Sequence, residues 1–323
     1  MIDFTNKKIK TYSLVGSRAT FGLVMNEVAE KINNLMVLTA DVSTSAGLDK
    51  YRNNHKDKYL DIGIAEQNMI GIAAGLSSEN YCVFTTTFAP FQTMRCLEQI
   101  KVNSGYMKNK IIMVGLASGL VLGPLGYTHC CIEDLSIMRT IPNVSVISPS
   151  DPFETAKAIL ASIDHNQSVY IRLTGGSNRK NIYQEDYNFE IGKAIEISKG
   201  KDICIFANGT MLSAVLEACD MLKEKNIFPS VINVHTLKPL DKKLCKLYIE
   251  KSKVIYTVEE HSIFGGLSSS IAELNSSLDK KAKHFSIALP DDYSVSGDYE
   301  YLLDFYKLTP SAIANTILKN QYE

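Results

Sequence analysis
Extended and helical patterns alternate along almost the whole chain, and that alternation leaves few architectures open. Strands separated by helices cannot pair as tight hairpins; the crossovers bring them side by side in parallel. Apolar residues fall at helical spacing in "ATFGLVMNEVAEKINN", and the β-rich run "LMVLTAD" follows. The rhythm continues with a helix from about Ala65 to Leu76, the strand "YCVFTT", a helix from about Phe91 to Asn103 and the strand "KIIMVGLA". Next come the helix "IEDLSIMRT", the strand "VSVISP", the helix "DPFETAKAILASI" and the strand "SVYIRLT". The pattern predicts an α/β protein with a doubly wound parallel sheet over residues 1–175 and a linker over 176–190, where periodicity is lost. A second α/β unit is expected over 191–323, with strands "DICIFAN", "PSVINV" and "KVIYTVEE". A chain of 323 residues is longer than one core usually supports, which also favours two units.

Composition narrows the partners. A net charge of −1 lacks the basic footprint that nucleic acid or an anionic membrane surface requires. The chain has no long uncharged apolar run, and its first residues, "MIDFTNKKIKTYSLVG", do not read as a signal peptide. Seven cysteines without a CxxC or a regular framework fit a reduced, cytoplasmic setting in which most are small core residues.

In open α/β sheets, chemistry collects in loops at the carboxyl ends of strands. The candidate loops are "TADVSTSAG", "DIGIAEQN", "TTTFAPF", "LASGLVLGPLGYTHC" and "RLTGGSN". Within the second of these, Glu66 stands at the start of the otherwise apolar helix "GIAEQNMIGIAAGL". A buried carboxylate there must be paired, hydrogen-bonded or neutral, because its desolvation costs on the order of several kcal/mol. The plainer reading is an acid placed in a helix's first turn by the macrodipole. The fourth loop combines Gly115, Gly119, Gly123 and Gly126 with His129, and its plainer reading is a surface loop with a solvated histidine. No GxGxxG opens a helix after the first strand, which argues against a nicotinamide-binding domain.

The blocks "GIAEQNMIGIAAGL", "TTTFAPFQTMR", "GPLGYTHCCIEDLSIMRTIPNVSVISPSD", "TLKPLD" and "VEEHSIFGGL" resemble the C-terminal half of transketolase, in order, from about Ser17 to the C-terminus. Relatives sharing them include 1-deoxy-xylulose-5-phosphate synthase and the beta subunit of 2-oxo acid dehydrogenases, all users of thiamine diphosphate. The resemblance implies a pyrimidine-binding domain followed by a transketolase C-terminal domain. It implies that Glu66 hydrogen-bonds N1′ of the aminopyrimidine and favours the tautomer whose 4′ nitrogen takes the C2 proton, a task that suits a carboxyl of raised pKa in an apolar pocket. Phe88 and Phe91 match aromatic positions that pack against the pyrimidine. Ile64, two residues ahead of Glu66, is placed with the cofactor contacts, as is Asp41, whose plainer reading is an Asx cap. Arg18, Ser45 and Arg172 match positions that hold a substrate phosphate, although each arginine equally suits an ion pair. His129 matches a histidine that contacts the sugar's hydroxyls or reacting oxygen.

The same resemblance shows what departs. No GDG occurs in these 323 residues, so Mg²⁺ and the diphosphate are expected on a separate N-terminal-type partner carrying that motif. The implied assembly is an α2β2 heterotetramer in which this chain dimerises. Leu125 stands where the usual loop has an acid that recognises a sugar hydroxyl, and a histidine usual near Ala117 is absent. The expected activity is transfer of a two-carbon ketol unit from a ketose or ketose phosphate to an aldehyde. Acetyl transfer, a 2-oxo acid dehydrogenase beta subunit, deoxyxylulose-phosphate-type ligation and a cofactor-free scaffold remain the alternatives. In "VEEHSIFGGLSSSIAEL", Glu259, Glu260, His261 and the Gly265-Gly266 pair are expected to be structural.

Overall fold
The computed structural model describes residues 2–175 and 182–320, so residues 176–181 of the expected linker lie outside it. Twelve strands are present among the described residues: β1 (Leu35–Thr39), β2 (Tyr59–Asp61), β3 (Cys82–Phe88), β4 (Ile111–Ser118), β5 (Val144–Ile147), β6 (Ser168–Thr174), β7 (Ile195–Ser198), β8 (Ile203–Ala207), β9 (Ser230–Asn233), β10 (Thr236–Lys238), β11 (Val254–Ser262) and β12 (Lys283–Leu289). The first sheet runs β10, β5, β6, β4, β3, β1, β2, and the second β12, β11, β8, β9, β7. Pairing is parallel throughout except for β10 against β5 and β7 against β9.

Every residue of β4 and of β6 is buried, which explains their continuous apolar runs: helices cover both faces of this sheet. Alternate residues of β4 enter opposite cores. Ile112 and Val114 pack with Phe21, Val24 and Met25 of the helix Asn6–Ala29 and with Ile159 of the helix Pro152–Asp164. Ile111 and Met113 pack with Met69, Ile70 and Ala73 of the helix Glu66–Ser78, and this cluster continues through Phe206, Ile232 and Ile249 of the second unit.

Two elements differ from expectation. The helix expected over Phe91–Asn103 is broken into Ala89–Gln92, Leu97–Ile100 and a wide turn over Lys101–Tyr106. Cys96 Sγ donates to the Phe91 carbonyl at 2.9 Å, the acceptor that Arg95 N would use in a continuous helix, and Arg95 N turns instead to the Pro90 carbonyl at 3.2 Å. Strand β10 belongs by sequence to the second unit but adds antiparallel to the edge of the first sheet, Thr236 opposite Ile147 and Lys238 opposite Val146.

Arg172 lies inside the first sheet. It sits mid-strand in β6, 2% exposed, with Nε at 2.9 and 3.1 Å from the two oxygens of the fully buried Asp134. Nη1 donates to Thr174 Oγ1, and Nη2 to the Glu260 and Cys131 carbonyls. Tyr170 Oη donates to the same Asp134 at 2.7 Å. Buried, and with Nε, Nη1 and Nη2 all donating inside the protein, Arg172 has the ion-pair setting that is its plainer reading. Arg172→Met should therefore strand the Asp134 charge and cost about 3–5 kcal/mol in urea denaturation, with part recovered in the Arg172→Met, Asp134→Asn double variant. A loss below about 1 kcal/mol would contradict this account.

The described part of the linker, residues 182–190, is held by buried acids on the first unit. Asp151 caps the helix Pro152–Asp164 by accepting from Glu154 N at 2.7 Å, and its other oxygen accepts from Ile182 N at 2.7 Å and Tyr183 N at 3.4 Å. Glu154 accepts from Tyr187 Oη and from Asn233 Nδ2 of β9. Burial, then the neighbouring Glu154 carboxyl, push Asp151 up to about 7 against the pull of its backbone donors. A carboxyl raised above its ordinary 3.8 binds its proton more tightly in the folded chain. Its contribution to stability is complete below about pH 4 and is lost as the pH climbs through about 7. Asp151→Asn cannot ionise, so between about pH 5 and 8 it should lose less stability than the wild type. Denaturation curves taken across that range check this, and wild-type and variant stabilities that run parallel with pH would refute it.

Candidate functional site
The carboxyl ends of β1 and β3, the start of the helix Glu66–Ser78 and the loop after β4 converge. Glu66 is the first residue of its helix, follows an Ala65 that supplies no side-chain cap, and is only 3% exposed. It is not alone in an apolar pocket: Arg95 Nη1 donates to its Oε1 at 2.5 Å. Glu66 Oε2 has no hydrogen bond among the described residues. Arg95, the last residue of the "TTTFAPFQTMR" block and given no role by the sequence reading, lies in the break between the two short helices, with its guanidinium carbon 3.9 Å from the Phe91 ring centroid.

Phe88 ends β3, and Phe91 follows in the helix Ala89–Gln92 that Pro90 helps to start. Their rings meet edge to face at 6.3 Å, and Phe91 meets the His129 ring the same way at 5.5 Å. The structure thus brings Glu66, Phe88, Phe91 and His129 together, with Arg95 as the link. His129 is half-buried; its Nδ1 lies 3.0 Å from Thr128 Oγ1 and its main-chain N–H donates to the Gly126 carbonyl. Leu125, on the same loop, is 58% exposed, whereas Ala117 is buried at φ 50°, a backbone conformation uncommon for alanine.

Arg18 and Ser45 meet apart from these residues, and Asp41 is joined to Asp61. Arg18 Nη1 donates to the Ser45 carbonyl at 3.4 Å, leaving the guanidinium exposed. Asp41 has φ 57° and donates its N–H to Asp61 Oδ1 at 3.0 Å. Asp61 also accepts from Gly63 N, Thr39 Oγ1 and Tyr59 Oη. Burial acts to raise the Asp61 pKa, but these donors outweigh it and hold the carboxyl below its ordinary value. Asp61 therefore ties the Asp41 turn to the segment leading into Glu66, on which Ile64 stands 75% exposed. Asp61 lies within the "LDIGIAEQ" stretch, so its place just before Glu66 is the sequence signal that could have flagged it.

Other features lie elsewhere. A cleft of about 1110 Å³ opens where Ile203, Val254 and Lys283 begin β8, β11 and β12, and no residue of the site lines it. Among the described residues no three His, Cys, Asp or Glu side chains are grouped to hold a metal ion. No described helix is long and apolar enough to cross a membrane.

Two domain families match: the transketolase pyrimidine binding domain over residues 15–180 and the transketolase C-terminal domain over residues 192–313. A putative transketolase C-terminal section of Methanocaldococcus jannaschii is 35% identical over 307 residues, 94% of this chain and 96% of that one. One of the subunits of an apulose-4-phosphate transketolase of Phocaeicola vulgatus is 31% identical over 308 residues, 95% of this chain and 98% of that one. The solved structure of a split gene transketolase, described as an inactive beta4 tetramer, superposes with a TM-score of 0.87 at 30% identity, over 94% of this chain and 98% of that one. The chain belongs to the transketolase family, with the family's pyrimidine-binding and C-terminal domains in succession.

Proposed function
We propose that this chain is the C-terminal-type subunit of a split, thiamine-diphosphate-dependent transketolase that moves a two-carbon ketol unit from a ketose or ketose phosphate to an aldehyde. The observation that carries the reading is a buried carboxylate, Glu66, joined through Arg95 to the Phe91 ring, which meets both Phe88 and His129 at the carboxyl end of a parallel sheet. That set fits an aminopyrimidine: a flat heterocycle needs an aromatic face and an acceptor for its ring N–H, and Glu66 Oε2 is available. When bound, the cofactor supplies the carbanion chemistry. Glu66 accepts from N1′ and holds the proton there, which fixes the tautomer. Phe88 and Phe91 pack the ring and exclude water. With His129 Nδ1 turned to Thr128, Nε2 is the nitrogen left to bind a donor oxygen.

The exposed Arg18, with Ser45, is the group we assign to the donor's distal end; Asp41 and Ile64 are assigned to the cofactor wall. Mg²⁺ and the diphosphate are assigned to an N-terminal-type partner in an α2β2 assembly. Two things support this: the absence of a GDG motif from the sequence, and end-to-end matches to one subunit of an apulose-4-phosphate transketolase and to a split-gene beta chain. Ile64 and Met94, which flank Glu66 and Arg95, remain exposed, as a site completed by a second chain requires. Seven free cysteines accord with a cytoplasmic setting.

Two measurements test the proposal. In the reconstituted complex, Glu66→Gln should slow C2 hydrogen–deuterium exchange of bound thiamine diphosphate by about a hundredfold or more, the usual scale for losing a positioned acid or base. Exchange at the wild-type rate would remove Glu66 from the mechanism. Calorimetry with Mg²⁺ present should show weak or no binding of thiamine diphosphate to the chain alone and tight binding to the complex, since a ligand held by both subunits stabilises their association. Tight binding by the chain alone would refute the split-subunit reading.

A further inference from the structure
The loop that carries Leu125 and His129 is pinched at its base and gripped from the second unit. Gly119 and Cys131 exchange two main-chain hydrogen bonds, 2.7 and 3.0 Å, so residues 119–131 leave the sheet and return at one point. That point lies against Glu260 of β11, which is 1% exposed. Glu260 Oε1 accepts from Leu120 N at 2.7 Å, and Oε2 accepts from Tyr299 Oη at 2.6 Å and Thr210 Oγ1 at 3.1 Å. A Cβ on Gly119, whose φ is +70°, would stand 2.1 Å from Glu260 Oε1, so the glycine is what lets the carboxylate reach the Leu120 N–H. The tip is held as well: Gly297 N donates to the Gly123 carbonyl, Tyr127 Oη bonds Tyr306 Oη, and the Tyr127 ring packs 4.9 Å from that of Tyr293.

We propose that Glu260 is a positioning residue of the second unit that fixes the loop 119–131, and through it places His129 against Phe91 and Leu125 at the donor-facing wall. The proposal rests on the functional reading above only for the word donor; the anchoring is a property of the chain itself. A buried carboxylate with three donors is a rigid post, and a loop tied to it at the base cannot shift without breaking a charge-assisted bond. The second unit thereby sets the substrate wall of the first, a role beyond the structural one expected for the "VEEHS" block.

Hydrogen–deuterium exchange of the full chain, read on the peptide spanning Leu120–His129, decides the anchoring. Glu260→Ala should speed exchange there by about tenfold, with peptides from β3 and β8 unchanged. Glu260→Gln, which keeps an oxygen for Leu120 N and an amide for the oxygens of Tyr299 and Thr210, should remain near wild type. Tyr299→Phe removes one donor only and should give a smaller, equally local change, which keeps the test decisive if Glu260→Ala does not fold. In the complex, with xylulose 5-phosphate as donor, Glu260→Ala should raise the donor KM by about tenfold while thiamine diphosphate affinity holds, and Glu260→Gln should restore it. Unchanged exchange in the loop, a uniform rise across the chain, or cofactor affinity falling in step with the donor KM would overturn the proposal. Local exchange as expected without transfer by the wild-type complex would refute the activity and leave the anchoring supported.

Discussion

Arg172 and Asp134 are 2% and 0% exposed, so neither can remain charged inside the protein without the other, and much of the molecule is arranged around that requirement. Asp134 is the first residue of the helix Asp134–Thr140, so the pair pins the point where the chain leaves the loop 119–131 and re-enters regular structure. Arg172 spends a further donor on the Glu260 carbonyl, which joins the middle of the first sheet to β11 of the second. Arg139, on the same helix, donates to the Gly265 and Gly266 carbonyls and pairs with Glu273 at 2.9 Å. One buried ion pair thus fixes a strand, a helix and the seating of the second unit.

The second unit contributes two more buried ionisable groups whose work is structural. Glu259 accepts the first N–H groups of the helix Leu267–Ser276, from Leu267 and Ser268, both at 2.7 Å, and burial pushes it up to about 7 despite them. His261 is pushed down to about 4 by burial, so it is neutral at physiological pH. Its Nδ1 donates to the Ser262 carbonyl, and Nε2 faces the Ser136 N–H at 3.4 Å. A histidine held in one tautomer between two main-chain groups has no nitrogen to offer a substrate.

The sheets are legible in the sequence because parallel strands buried on both faces write themselves as apolar runs, and each run read as a strand forms one. Strands β2, β7, β10 and β12 go unread: three residues, as in β2 and β10, cannot display a period, β7 and β12 are partly exposed sheet edges without a continuous apolar run, and β10 owes its pairing to a sheet edge far away in sequence, Thr236 opposite Ile147. Glu66, Phe88, Phe91 and His129 are flagged by motifs, and they do meet. Arg95 closes the "TTTFAPFQTMR" block, but its role stays hidden because its partner lies 29 positions earlier, and no local pattern reports a contact across that span. The run "SVYIRLT" already points to the ion-pair setting of Arg172, because a lone charge inside a strand covered on both faces must be paired within the core.

The Glu66–Arg95 contact also bears on how readily the site opens. Glu66 is almost wholly buried, whereas the Arg95 side chain is 42% exposed, so the guanidinium leaves a wet position and the carboxylate remains in a dry one. A half-exposed ion pair contributes about 1 kcal/mol or less, and a cation over an aromatic face about 0.5–1 kcal/mol at such a site. A ligand of micromolar affinity brings about 8 kcal/mol. Moving Arg95 off the Phe91 face is therefore a small cost, the more so when the incoming group donates to the open Glu66 Oε2. A planar heterocycle with a ring N–H would suit that place, since Phe91 offers a flat face and Glu66 a carboxylate acceptor, as they do to the guanidinium. The arginine satisfies the buried charge without sealing the face it covers.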